Sequence, residues 1–306
     1  MSSSSSLLTE PAQHPVPRSK APWTLKAESY FLFLSLRELP QGVYDSLEAA
    51  WGKEEGEKGV GAFRGGLGAV VIVRYSWTPV GPYDELMLIP GNFTVPQPSN
   101  GPPKIPKKAL RIARIYVSQR TTVYNGRLNW NIPKHLARFS FSAPPTLKGQ
   151  SPPPCLDVKV FPPGTKEGDG VKPFFACTLK PWKWMPSLPV NTAWVPISTR
   201  HVQPPIPEPA GHRAAAQEAI RGPEIDPYDV SSKGEESLCV GTDRWTAFDI
   251  EAKVPRARAC WVTMGEAGSD DEGRARYFPQ GLRPWSVAGW LEEGVLEITE
   301  PLEWKL

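Results

Sequence analysis

Apolar and polar positions in this chain are organised in short runs, with little repetition at helical spacing. Trp23 to Leu36, which contains Tyr30-Phe31-Leu32-Phe33-Leu34, predicts a buried strand. Comparable runs at Ala69 to Ser76, Glu85 to Ile89, Leu110 to Ser118, Ala137 to Ser142, Leu156 to Phe161, Phe174 to Leu179 and Thr192 to Ile197 predict further strands. The segments between them hold Pro and Gly, as the turns of an antiparallel all-β domain do. Trp245-Thr246-Ala247-Phe248 and Gly289 to Ile298 predict a hairpin that closes the sheet. Helical patterning is confined to 44–52 and 211–221. Residues 1–20 are rich in Ser and Pro and are expected to be a disordered tail. Residues 21–306 are expected to form one β-rich domain, barrel or sandwich, with a loop or lid insertion at about 200–240.

Composition narrows the picture. A length of 306 residues suits one β domain with insertions, and 36 prolines argue against long helices. The net charge of +3 is too small for a general nucleic-acid binder. It is unevenly spread: residues 101–150 hold ten Lys or Arg and no acid, whereas 201–306 hold eleven basic and nineteen acidic residues. The alternation in Leu110-Arg111-Ile112-Ala113-Arg114-Ile115-Tyr116-Val117 predicts a solvated basic strand face, or a field that attracts an anionic small molecule. No stretch reaches the roughly 18 apolar residues of a membrane span, and residues 1–8 lack the features of a signal peptide. A soluble, cytosolic protein is the expectation.

Several chemistries are disfavoured. Cys155, Cys177, Cys239 and Cys260 are scattered without zinc spacing, so reduced thiols are expected and no metal site. The four histidines accompany no Gly-x-Ser-x-Gly elbow. Gly59 to Gly68 precedes a β-type run and opens no helix, so it reads as a loop and not as a dinucleotide cradle. Trp182 and Trp184 flank Lys183 on one face of an extended segment, as core packing or as the wall of a hydrophobic site.

The segment Gly126-Arg127-Leu128-Asn129-Trp130-Asn131-Ile132-Pro133-Lys134-His135 carries the most specific chemistry. Lys134 follows a proline within an apolar stretch, beside a second potential cation and with no acid nearby in sequence. An ordinary lysine titrates near about 10.4. Desolvation and neighbouring positive charge lower that value and free an amine for nucleophilic attack.

Together with Gly81-Pro82-Tyr83-Asp84-Glu85-Leu86, this segment resembles the acetoacetate decarboxylase superfamily, particularly its larger fungal-type members. In that family Gly-Arg leads into Pro-Lys-Lys, whose first lysine forms a Schiff base while the second lowers its pKa. The chain departs from the pattern at three places: His135 replaces the second lysine, Leu128 an acid, and Asn131 a glycine. The resemblance implies a mainly β fold, an antiparallel β-barrel or double-layer cone with few short helices, enclosing an apolar cavity. It implies Lys134 as nucleophile and Glu85 as proton carrier or orienting group. Arg127, His135, Trp130 and Tyr83 are expected around the substrate. The reaction implied is decarboxylation, aldol or dehydration chemistry on a carbonyl or keto-acid metabolite. The imine is itself the electron sink, so no cofactor is expected. The rival reading is a non-catalytic barrel or scaffold of secondary metabolism that binds a hydrophobic metabolite. Partners are then a small carbonyl or apolar molecule, with no nucleic acid or membrane and with homo-oligomerisation left open.

Overall fold

A computed structural model describes residues 13–54, 56, 59–98, 105–194, 198–265 and 275–306. In chain order its strands are β1 (Trp23–Ser35), β2 (Leu67–Trp77), β3 (Tyr83–Ile89), β4 (Asn92–Thr94), β5 (Lys108–Leu110), β6 (Arg114–Val117), β7 (Lys134–Leu136) and β8 (Arg138–Phe141). They continue with β9 (Leu156–Phe161), β10 (Phe175–Pro181), β11 (Leu188–Asn191), β12 (Arg200–Gln203), β13 (Trp245–Met264), β14 (Val287–Ile298) and β15 (Leu302–Trp304). Helices α1 (Ala50–Lys53), α2 (Arg120–Trp130) and α3 (His212–Arg221) and short 3-10 turns at Thr192–Trp194 and Glu235–Ser237 complete the described elements. The fold is mainly β, a sheet curled into a half-barrel in the order β4-β5-β12-β13-β14-β1-β2-β3-β6-β7. No helix among the described residues is long and apolar enough to cross a membrane.

The curl has local causes. Ala27 pairs with Gly294 and Ser29 with Leu291, so β14 carries an extra residue there; Glu293 sits at φ 55°. Such a bulge bends a strand and increases its twist. The 20-residue β13 pairs along its length with β15, β12, β14, β11 and β10, carrying one strand across the bend.

Strands β1 to β3 are buried on both sides. Tyr30, Leu32, Val70, Ile72, Leu86 and Leu88 pack into one core, while Leu25, Val71, Val73 and Met87 face the other. A strand covered on both faces reads as a continuous apolar run, which accounts for the runs at 30–34 and 69–73.

Three expectations are corrected by the structure. The basic run 110–118 is not a solvated face: it breaks between β5 and β6, and Arg111 and Arg114 are 1% and 2% exposed. Arg111 donates to the Val60 carbonyl and Arg114 to those of Tyr44 and Arg276, so these cations tie loops to the sheet. Of the stretch assigned to a tail, residues 1–12 lie outside the described residues. Residues Arg18 and Ser19, by contrast, hydrogen-bond Asn125 and Asn129 of α2. The strand placed at 192–197 is instead β11 at 188–191 followed by a 3-10 turn at 192–194, and 195–197 lie outside the described residues.

Candidate active site

Lys134 owes its position to a helix cap. The side chain of Gln119 accepts from the Thr122 amide and starts α2. The helix ends at Asn131, whose left-handed backbone (φ 55°, ψ 27°) turns the chain back into β7. Asn tolerates this conformation better than other non-glycine residues, so it can stand where the family pattern has glycine. Its amide donates to the Arg127 carbonyl, and that of Ile132 donates to Gly126. Strand β7 then runs parallel to β6, with Ile115 opposite Lys134 and Tyr116 opposite His135. Successive side chains of a strand leave on opposite faces. Lys134 and His135 therefore enter different environments.

Lys134 enters a cavity of about 510 Å³ enclosed by the curled sheet and lined largely by aliphatic side chains, among them Val71, Val73, Met87, Ile112, Ile115 and Ile132. Its ammonium donates to Glu85 Oε2 at 2.9 Å, Thr122 Oγ1 at 2.9 Å and Tyr83 Oη at 3.2 Å, which uses all three of its donors. Tyr75 Oη donates to the other Glu85 oxygen at 3.0 Å. The β2–β3 pairing brings these groups together: Val73 lies opposite Glu85, and Tyr75 opposite Tyr83. Lys134 and Glu85 are 3% and 2% exposed.

The amine is not depressed, contrary to the expectation from sequence. Burial lowers its pKa, but the Glu85 charge and the hydrogen bonds of Glu85 and Tyr83 outweigh burial and raise it above the ordinary lysine value. An acid absent from the neighbouring sequence arrives from β3.

His135 is on the far side of the sheet and is not the cation beside Lys134. Its Nε2 lies 2.9 Å from Glu48 Oε2 and 4.0 Å from Asp45 Oδ1. Burial lowers its pKa, and Glu48 and Asp45 more than reverse this, raising it well above the usual histidine value. Arg127 is completely buried and pairs with Glu48 at 3.0 Å, while also donating to the carbonyls of Val240 and Pro207. Asp45, Glu48 and His135 form a group with metal-ligand atom types. Arg127 and the charged imidazole already supply its countercharge. Trp130 packs edge-on against Trp23 at 5.2 Å and donates to the Thr299 carbonyl. Arg127, His135 and Trp130 thus do not line the cavity, whereas Tyr83 touches the amine.

Trp182 and Trp184 neither line the cavity nor fill the core. They stack on each other at 5.2 Å, and Trp184 is 74% exposed. The cavity wall at that point is made by Met185, Pro186 and Leu188. From the stretch 200–240 only His201 lines the cavity, and the carbonyls of Pro207 and Val240 lie behind it against Arg127.

Thr122 and Tyr75 escaped the sequence reading. Thr122 lies in a helix with no apolar stripe. Tyr75 was recoverable from hairpin pairing across Gly81-Pro82, which sets it on the Glu85 face.

The sequence matches no family model and no curated protein. The fold does match solved structures. An acetoacetate decarboxylase from Legionella pneumophila superposes with a TM-score of 0.55 and 10% identity, covering 99% of this chain and 98% of that one. The enduracididine biosynthesis enzyme MppR, complexed with the condensation product of pyruvate and imidazole 4-carboxaldehyde, gives 0.49 and 13%, covering 93% and 90%. An acetoacetate decarboxylase-like enzyme from Sphingomonas wittichii RW1 gives 0.49 and 10%, covering 94% of each chain. The chain has the acetoacetate decarboxylase-like fold.

Proposed function

We propose that this protein is an acetoacetate decarboxylase-like enzyme that forms a Schiff base between Lys134 and a carbonyl metabolite. The observation that carries this reading is a buried amine projecting into a largely apolar cavity with a carboxylate 2.9 Å away. The ammonium passes a proton to Glu85, and the neutral amine attacks the carbonyl carbon. Glu85 returns the proton to the carbinolamine hydroxyl, which leaves as water and yields the iminium. An apolar substrate that displaces water favours the neutral amine and carboxylic acid over the ion pair, because desolvation penalises both charges. The fold shared with an acetoacetate decarboxylase supports the reading.

The ammonium with three acceptors and a raised pKa favours a second reading, a barrel that binds an apolar metabolite without covalent chemistry. Borohydride reduction in the presence of a panel of aldehydes, ketones and keto acids separates the two. The enzyme reading expects an irreversible adduct at Lys134, read by peptide mass spectrometry and lost in Lys134→Met. Tight binding of apolar carbonyls with no reducible adduct at Lys134 would establish the binding barrel instead.

A further inference from the structure

The charge balance inside the cavity bears on which carbonyl compound it accepts. Among the described residues, five polar side chains line it: Tyr75, Glu85, Lys134, His201 and Arg258, apart from the hydroxyls of Thr192, Ser198 and Thr199. Each cationic group is already matched. Lys134 is neutralised by Glu85 at 2.9 Å. Arg258 is held at 2.7 Å by Glu292, a carboxylate with 0% exposure, and the neighbouring Arg256, 3.0 Å from Glu292, has Glu293 at 3.5 Å as its second carboxylate, so two carboxylates balance the two guanidinium groups. Burial holds His201 down at about 4, and its Nδ1 donates to the Thr199 carbonyl at 2.8 Å, so this ring is neutral. A carboxylate entering the cavity would meet no uncommitted cation, and beside the reacting nitrogen it would meet the Glu85 carboxylate. Burying an unpaired charge is strongly unfavourable, and like charges at short range in a dry site add to that cost.

The shape of the cavity agrees. Leu67 and Leu188 line it and are 39% and 58% exposed, so it opens beside them. Leu67 lies six residues before Val73 on β2, and Val73 is the partner of Glu85. At about 3.3 Å per residue the stretch of β2 from Leu67 to Val73 spans about 20 Å. The walls between are hydrocarbon.

We infer that the compound taken by Lys134 is an uncharged, chain-like aldehyde or ketone. The step after imine formation is transfer of an α-proton to Glu85, not loss of carbon dioxide. This rests on the Schiff-base reading. The α C–H bond breaks, its electron pair becomes the enamine double bond as the iminium takes up charge, and the proton resides on Glu85. Returning that proton to the α-carbon restores the iminium. Where the substrate carries a β-hydroxyl, the enamine expels it, and the Glu85 proton converts it to water and leaves a conjugated iminium. Hydrolysis then releases the carbonyl product and Lys134. No further reactant is needed.

The test is a matched set: decanal, methyl heptyl ketone, and the β-keto acid that carries the ketone's chain with one carboxylate more. Borohydride adducts at Lys134 are quantified for each. Exchange of α-hydrogen for deuterium in heavy water and Lys134-dependent release of carbon dioxide are followed in parallel, with Lys134→Met as the blank. The expectation is at least tenfold more adduct from the neutral compounds than from the keto acid, and, per adduct formed, α-hydrogen exchange at least tenfold slower in Glu85→Gln. Adduct from the keto acid equal to or above that from the ketone, or carbon dioxide release faster than exchange, would overturn the inference while leaving the Schiff base intact. No adduct from any carbonyl would remove the Schiff base, and the inference with it.

Discussion

Lys134 and Glu85 form a buried ion pair at 2.9 Å, and the sign of one substitution tests whether Glu85 sets the charge of the amine. In the native protein Glu85 outweighs burial and holds the amine protonated beyond the ordinary lysine range. The stability the pair contributes is therefore present below the unfolded value near about 10.4 and is lost as pH rises through the higher folded value. In Glu85→Gln the countercharge is gone and burial remains, so the amine should titrate below an ordinary lysine. Modification of Lys134 by a small acylating reagent, followed against pH with surface lysines as references, should lag them in the native protein and lead them in the variant. An unchanged profile would mean that Glu85 does not control the amine. At this scale the motif resemblance singled out Lys134 and Glu85 in the sequence, but not the contact between them or its electrostatics. A fifty-residue window without acids says nothing about an acid 49 positions away in the chain.

Helix α2 shows where legibility stopped at the level of elements. The strands at 23–35, 67–77, 83–89 and 156–161 were readable because apolar runs and alternation reflect burial directly. In α2 residues as different as Arg120, Thr122, Asn125 and Arg127 are all buried, so no apolar stripe marks it, and Gly126 in its middle counts against a helix. That glycine has a spatial reason. A Cβ there would lie 2.8 Å from Cδ and 2.9 Å from Cε of Lys134, so the lysine stem runs across the glycine. Gly126→Ala should remove about 0.5–1 kcal/mol of helix penalty, offset by displacement of the stem. The expected result is a melting temperature changed by only a few degrees together with at least tenfold slower borohydride adduct formation. A variant that forms adduct at the native rate would show that contact with the glycine does not set the amine's position.

At the scale of the whole molecule, buried arginines join the sheet and helix α2 to the segments around them, and Glu48 is the carboxylate on which one such junction turns. Arg120 donates to the carbonyls of Asp229, Ser231 and Lys233, and Arg127 to those of Pro207 and Val240. Their reach is invisible to local pattern, which sees a charge and assigns it to solvent. Glu48 has no exposure and lies between Arg127 and His135, with Asp45 and Arg114 next to them. Burial raises its pKa, but His135 first and then Arg127 reverse this and bring it below the usual carboxylate value. Its contribution to stability is present above the unfolded value near about 4.3 and is lost as pH falls through the lower folded one. His135 behaves oppositely: its raised pKa contributes most below about 6.5 and is lost as pH rises through the folded value. Glu48→Ala leaves two buried cations without their shared partner and should cost about 3–5 kcal/mol, read as a lower midpoint in urea. The loss should be largest between the two titrations, where carboxylate and imidazolium are both charged, and should shrink at either end of the pH range. A uniform loss at all pH values would assign Glu48 a packing role, whereas a pH-dependent one would show that the junction is held by charge.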